Sequence, residues 1–98
     1  MARVLVEYTH KIGDDHRNPH QRIRGIGGNG SQGWYRETAE VIADIRAGRN
    51  SYFVTVAGRQ LDVVLASYAG VVYLKTTADG FAPNNLLSLP EPPVRLMA

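Results

Sequence analysis

Residues 51–76 hold three short runs in which apolar and polar side chains alternate, separated by very short joins. Residues 51–57 put Tyr52, Val54 and Val56 on one face, and residues 60–68 put Leu61, Val63 and Leu65 on one face. Residues 71–76 put Val72 and Leu74 on one side, with Tyr73 and Lys75 on the other. A period of two marks half-buried strands. The joins Ala57-Gly58-Arg59 and Ala69-Gly70 are of hairpin length, so the three strands form an antiparallel meander. A turn at Asp79-Gly80 follows, then Pro83-Asn84-Asn85, three leucines (Leu86, Leu87, Leu89) and Pro90. This stretch is too apolar for a loose tail and is expected to fold back and cap the sheet. Residues 91–98, with Pro92 and Pro93, read as a frayed end.

The first half is less regular. Residues 3–11 alternate, with Val4, Val6 and Tyr8 opposite Glu7, Thr9 and Lys11, and read as one strand. Residues 12–20 form a polar loop, and residues 21–26 a second, weaker strand. Five glycines between Gly25 and Gly33 then predict a turn, because glycine disfavours regular elements. Trp34, Thr38, Val41, Ile42 and Ile45 recur at helical spacing, with Glu37, Glu40, Asp44 and Arg46 on the other faces. The helix starts near Trp34, or at Thr38 if Thr38 is its N-cap, and Gly48 suits its end. The order is ββαβββ. This is an α+β fold, a small antiparallel sheet with one amphipathic helix on a face. The 98 residues fit one domain, 1–98, with its core at about 3–90.

Composition narrows the function. There is no cysteine, which excludes disulfides, thiolate nucleophiles and Cys-ligated zinc, and favours a reducing, cytoplasmic setting. No apolar run approaches the roughly 20 residues needed to span a bilayer, and the N-terminus lacks a signal-peptide pattern. The net charge of +2 permits nucleic-acid contact without demanding it.

Four groups of residues carry candidate chemistry. Gly25-Ile26-Gly27-Gly28-Asn29-Gly30 matches a dinucleotide fingerprint in form, but the strand after the helix carries no acid for a ribose. A weaker reading is that amides of Gly27, Gly28, Asn29 and Gly30 hold an anion. Second, His10, Asp14, His16 and His20, with Asp15, have ligand chemistry suited to a divalent metal, although Pro19 interrupts the His16/His20 spacing. Third, Arg17, Arg22 and Arg24 make the first quarter basic, and Tyr8, Trp34, Tyr35, Tyr52, Tyr68 and Tyr73 supply rings for stacking single-stranded nucleic acid. Asp14, Asp15 and Glu7 dilute that patch, and strands enrich aromatics for packing alone. Fourth, Asp79, Asn84 and Asn85 are either turn formers or a ligand-facing loop. The serines lack a nucleophile-elbow context, and no catalytic residue or cofactor is assigned.

The run Tyr73-Leu74-Lys75-Thr76 with Asp79-Gly80, then Asn84-Asn85-Leu86-Leu87-Ser88-Leu89-Pro90, resembles the closing signature of a small bacterial family, domain of unknown function 3892. Other features are similar: His20 and Ile23 before the second strand, Trp34 before a helix with Val41-Ile42 and Ile45, Gly48 at its end, and Tyr52-Phe53 after it. The likeness covers about residues 3–90; the long glycine run departs from it. It implies a compact, stand-alone α+β domain and no particular activity.

The reading that follows is a non-enzymatic binding module of unknown partner, protein or nucleic acid, away from membranes. Its alternatives are a single-stranded nucleic-acid binder using Arg22, Arg24 and the rings, and a small metal protein or enzyme using the 10–20 loop. A sheet edge also offers a route to a homodimer.

Overall fold

The alternating run at the N-terminus makes two strands. The computed structural model describes residues 2–12, 22–30, 33–78 and 84–97. In it the run divides at Val6-Glu7 into β1 (Ala2–Leu5) and β2 (Tyr8–Lys11). An extended chain points successive amides to opposite sides. The Val6 N–H donates to the carbonyl of Phe53 at 2.8 Å, and the Glu7 N–H to the carbonyl of Gly27 at 2.9 Å. Phe53 and Gly27 belong to different sheets. One continuous strand therefore passes from one sheet into the other.

The first sheet has the order β1-β5-β6-β7, with β5 at Asn50–Val56, β6 at Arg59–Tyr68 and β7 at Val71–Thr76. β1 lies parallel to β5, and the remaining pairs form the expected antiparallel meander. Ala57 and Gly58 have φ of 51° and 79°, and Ala69 and Gly70 have 52° and 80°. Two successive positive φ values give the primed turn whose twist matches a tight hairpin, and the alanines carry some strain for it.

The second sheet has the order β2-β3-β4, all antiparallel. β3 (Ile23–Gly28) contains most of the glycine run, and β4 is Trp34–Glu37. The run is thus a strand between strands, where a turn ahead of a helix was expected. Close packing explains it. A Cβ on Gly25 would collide with the Tyr35 phenol, and one on Gly27 would lie 2.6 Å from the backbone oxygen of Trp34. Here missing side chains let neighbouring strands and rings close over the backbone.

The helix α1 spans Thr38–Ala47, with Glu37 as N-cap and Gly48 closing it at φ 70°. The Glu37 N–H donates to Glu40 Oε1 at 3.1 Å, the reciprocal half of a capping box. Val41 is fully buried, and Ile42 and Ile45 pack against the core. Trp34 belongs to β4, opposite Gly28, so the helix begins at Thr38 rather than near Trp34.

Leu86, on the short α2 (Asn84–Leu87), is fully buried among Val6, Ile26, Val54 and Leu74, with Leu87 and Leu89 packed on the same core. The terminal leucines therefore close the interior. The chain next runs beside β2. The Thr9 N–H donates to the Pro90 carbonyl at 3.0 Å, and the Lys11 N–H to Glu91 Oε2 at 3.1 Å. His10 Nδ1 meets Glu91 Oε1 at 2.9 Å. Burial raises the Glu91 carboxyl, but the bonds from His10 and Lys11 outweigh it and hold the group below its ordinary value. In the stretch expected to fray, α3 (Val94–Met97) places Leu96 against Gly33. Among the described residues, no helix is long and apolar enough to cross a membrane.

Candidate functional site

A cleft of about 460 Å3 opens where the two sheets diverge. Arg3, Val4 and Leu5 of β1 and Asn50 and Tyr52 of β5 line one side. Trp34 and Arg36 of β4 line the cleft from the second sheet, together with Glu7 and Gly30. The Trp34 and Tyr52 rings touch, with centroids 5.8 Å apart and planes tilted by 40°. The lining combines aromatic and aliphatic surface with a few polar groups, the usual make-up of a ligand site.

The polar groups differ in how far they are engaged. Arg3 is held by Asp62 Oδ1 at 2.8 Å and Gln60 Oε1 at 3.2 Å, and its guanidinium lies 4.4 Å above the Phe53 ring. Glu7 accepts the Asn29 N–H at 2.9 Å, and the Asn29 side chain in turn accepts the Tyr8 hydroxyl at 3.0 Å. Arg36 sits 3.8 Å from both Glu40 and Asp44, beyond hydrogen-bond length. Each of those acids has short bonds elsewhere: Glu40 to the Glu37 amide, Asp44 to Arg49 and Tyr52. Arg36 is thus ion-paired to two carboxylates without a short hydrogen bond to either, and it lines the cleft.

Tyr52 leads from the cleft into a partly buried polar cluster. Asp44 is only 7% exposed although it sits on the helix. It accepts the Tyr52 hydroxyl at 2.8 Å and Arg49 Nε at 3.0 Å. These two bonds, Tyr52 first, hold the Asp44 carboxyl below its ordinary value against the opposing effect of burial. Burial, then the Asp44 bond and charge, push the Tyr52 phenol up to about 12. Its proton is held more tightly in the folded chain than at the ordinary value of 10.0. The resulting stability is complete below pH 10 and is lost as pH rises from about 10 to about 12. Tyr52→Phe is expected to cost about 1.5 kcal/mol at neutral pH, the value of a hydrogen bond to a charged acceptor. It should also flatten that alkaline decline. Urea denaturation of both proteins across the alkaline range measures each effect.

The residues singled out from sequence have varied places. Gly30 lines the cleft, and Asn29 braces Glu7 beside it. Gly27 and Gly28 are within β3. Arg24 is exposed where the β2–β3 register shifts beside His10 and Lys11, and Arg22 precedes β3. His10 is turned to Glu91. Asn85 Nδ2 donates to Thr76 Oγ1 at 2.9 Å, which ties α2 to β7, and Asn84 opens α2. Asp14, His16, Arg17, His20 and Asp79 lie outside the described residues. Among the described residues, no group of three or more His, Asp or Glu converges on a metal position. The cleft residues Arg3, Glu7, Arg36 and Asn50 have no motif to announce them. Trp34 and Tyr52 carry aromatic signals, but only as ring suppliers.

Two small sheets, one substantial helix and a cleft at their junction define a mostly β member of the α+β class. The chain belongs to the family described as Protein of unknown function (DUF3892), whose model matches residues 8–90. No curated protein and no solved structure matches it.

Proposed function

We propose that the protein is a non-enzymatic binding module and that its ligand occupies the cleft between the sheets. The observation that carries this reading is the pairing of an aromatic floor, Trp34 on Tyr52, with the Arg36 guanidinium, which two carboxylates hold only by long ion pairs. The reading includes a cytoplasmic, bacterial setting, favoured by the cysteine-free sequence and by the likeness to a bacterial family.

Trp34 is the only tryptophan, so its emission reports on the cleft directly. A screen of small planar polar fragments, read by that emission, should yield binders. Arg36→Gln should weaken them about tenfold, as expected for losing a charge-assisted hydrogen bond. If no fragment perturbs Trp34 at the highest soluble concentrations, the cleft is not the ligand site.

A second reading rests on the other face of β2-β3-β4. There Tyr8 and Tyr35 flank Gly27 in register, and Arg24 lies near enough to Tyr35 to oppose the rise of its phenol, which burial chiefly causes. Rings beside a cation suit stacked single-stranded nucleic acid, although Glu37 and Glu91 also act on that phenol. Retention on immobilised single-stranded DNA that falls steeply with salt would support it; elution independent of salt would end it.

A further inference from the structure

The cleft meets β1 edge-on. Three consecutive residues, Arg3, Val4 and Leu5, all line it. Side chains alternate across a strand, so three in a row face one cavity only where the cavity meets the backbone. The hydrogen bonding agrees. Val6 donates to Phe53 on β5, whereas Glu7 donates across to Gly27. By alternation Val4 also faces β5, and the N–H groups of Arg3 and Leu5 and the carbonyl of Arg3 point away from β5, on the free edge of the strand that the cleft borders. The Leu5 carbonyl leans on Gly28, where a Cβ would lie 2.7 Å from it. β1 ends its sheet, with β5 as its one strand neighbour among the described residues. The β2 edge, by contrast, is covered by the Pro90 carbonyl and the Glu91 carboxylate.

We infer that this edge accepts an extended peptide segment from a partner protein, which adds a strand beside β1 and lays side chains on Trp34 and Arg36. The inference rests on the cleft being the ligand site and names the ligand's class. A peptide backbone supplies donors and acceptors in alternation, matching the N–H and carbonyl groups of β1 that point away from β5. It also suits a rim of mixed sign, with Arg3, Glu7 and Arg36, which favours neither a strong anion nor a strong cation. β1 offers room for about four residues, roughly 13 Å of strand.

The test uses the full chain and a displayed library of random heptapeptides. Selected peptides are synthesised and titrated while Trp34 emission and backbone amide resonances are followed. The expected result is a shift of the Arg3 and Leu5 amides, with affinity falling at least about tenfold when alternate peptide nitrogens are N-methylated. Leu5→Pro removes one outward N–H and should weaken binding similarly. If that variant misfolds, the N-methylated peptides carry the test alone. Selected peptides that tolerate N-methylation at every position overturn strand addition while leaving the cleft as a ligand site. Strand addition is equally overturned if fragments perturb Trp34 but no peptide is selected. Concentration-dependent shifts of the β1 amides without peptide would instead make the occupant a second copy of this chain. Failure of both fragments and peptides would sink the cleft reading as well.

Discussion

Leu86→Ala is expected to destabilise the protein by about 3 kcal/mol. The side chain has no exposed surface and lies in one cluster with Val6, Ile26, Val54 and Leu74. It reaches that cluster from a helix of four residues, too short to hold itself. Truncation removes apolar atoms from a closed interior and leaves a cavity lined in large part by β-branched side chains, Val6, Ile26 and Val54. Those side chains are stiff and relax poorly into the space. The loss is a large share of the stability a domain of this size commands. Urea denaturation should show a lower midpoint with little change in slope. A change under about 0.5 kcal/mol, the range of ordinary surface substitutions, would mean the leucine segment does not close the core.

The second large effect belongs to Gly27. Its hypothetical Cβ lies 2.6 Å from the Trp34 carbonyl oxygen, on a paired strand, so no rotamer relieves the contact. Gly27→Ala must push β3 and β4 apart and loosen Tyr35 and Trp34, which β4 carries. The expected cost is roughly 2–3 kcal/mol, the upper range for overpacking a tight interior. Gly30 is the control: nothing lies within 4 Å of a Cβ there, so Gly30→Ala should change stability far less. Thermal melts of both variants decide the matter. Equal melting temperatures would show that the glycine run is not packed as described.

The parts of the fold readable in advance were those governed by local rules. Alternation with two-residue joins located β5, β6 and β7, and the Val41-Ile42-Ile45 stripe with Gly48 located α1. The apolar character of Leu86, Leu87 and Leu89 placed them inside. What escaped depends on contacts between distant residues. Glycine propensity argues against a strand, and only the close approach of Tyr35 and the Trp34 backbone reverses it at Gly25 and Gly27. Trp34 sits at helical spacing from Thr38 and Val41, so periodicity alone could not remove it from the helix. Asp44 reads as a solvated acid on a polar face; its burial follows from Tyr52, eight residues away, and Arg49. The cleft was illegible for the same reason. Arg3, Arg36 and Asn50 come from three separate strands, and nothing in the order of residues brings them together.

The handover at Val6 and Glu7 ties the two sheets into one mechanical piece. A slip of β1 by a single residue would swing the Val6 amide toward β3 and the Glu7 amide toward β5, mispairing both sheets at once. Neither layer can therefore adjust its alignment alone. The cleft at their junction inherits that stiffness and keeps its shape as a consequence of how the backbone is threaded.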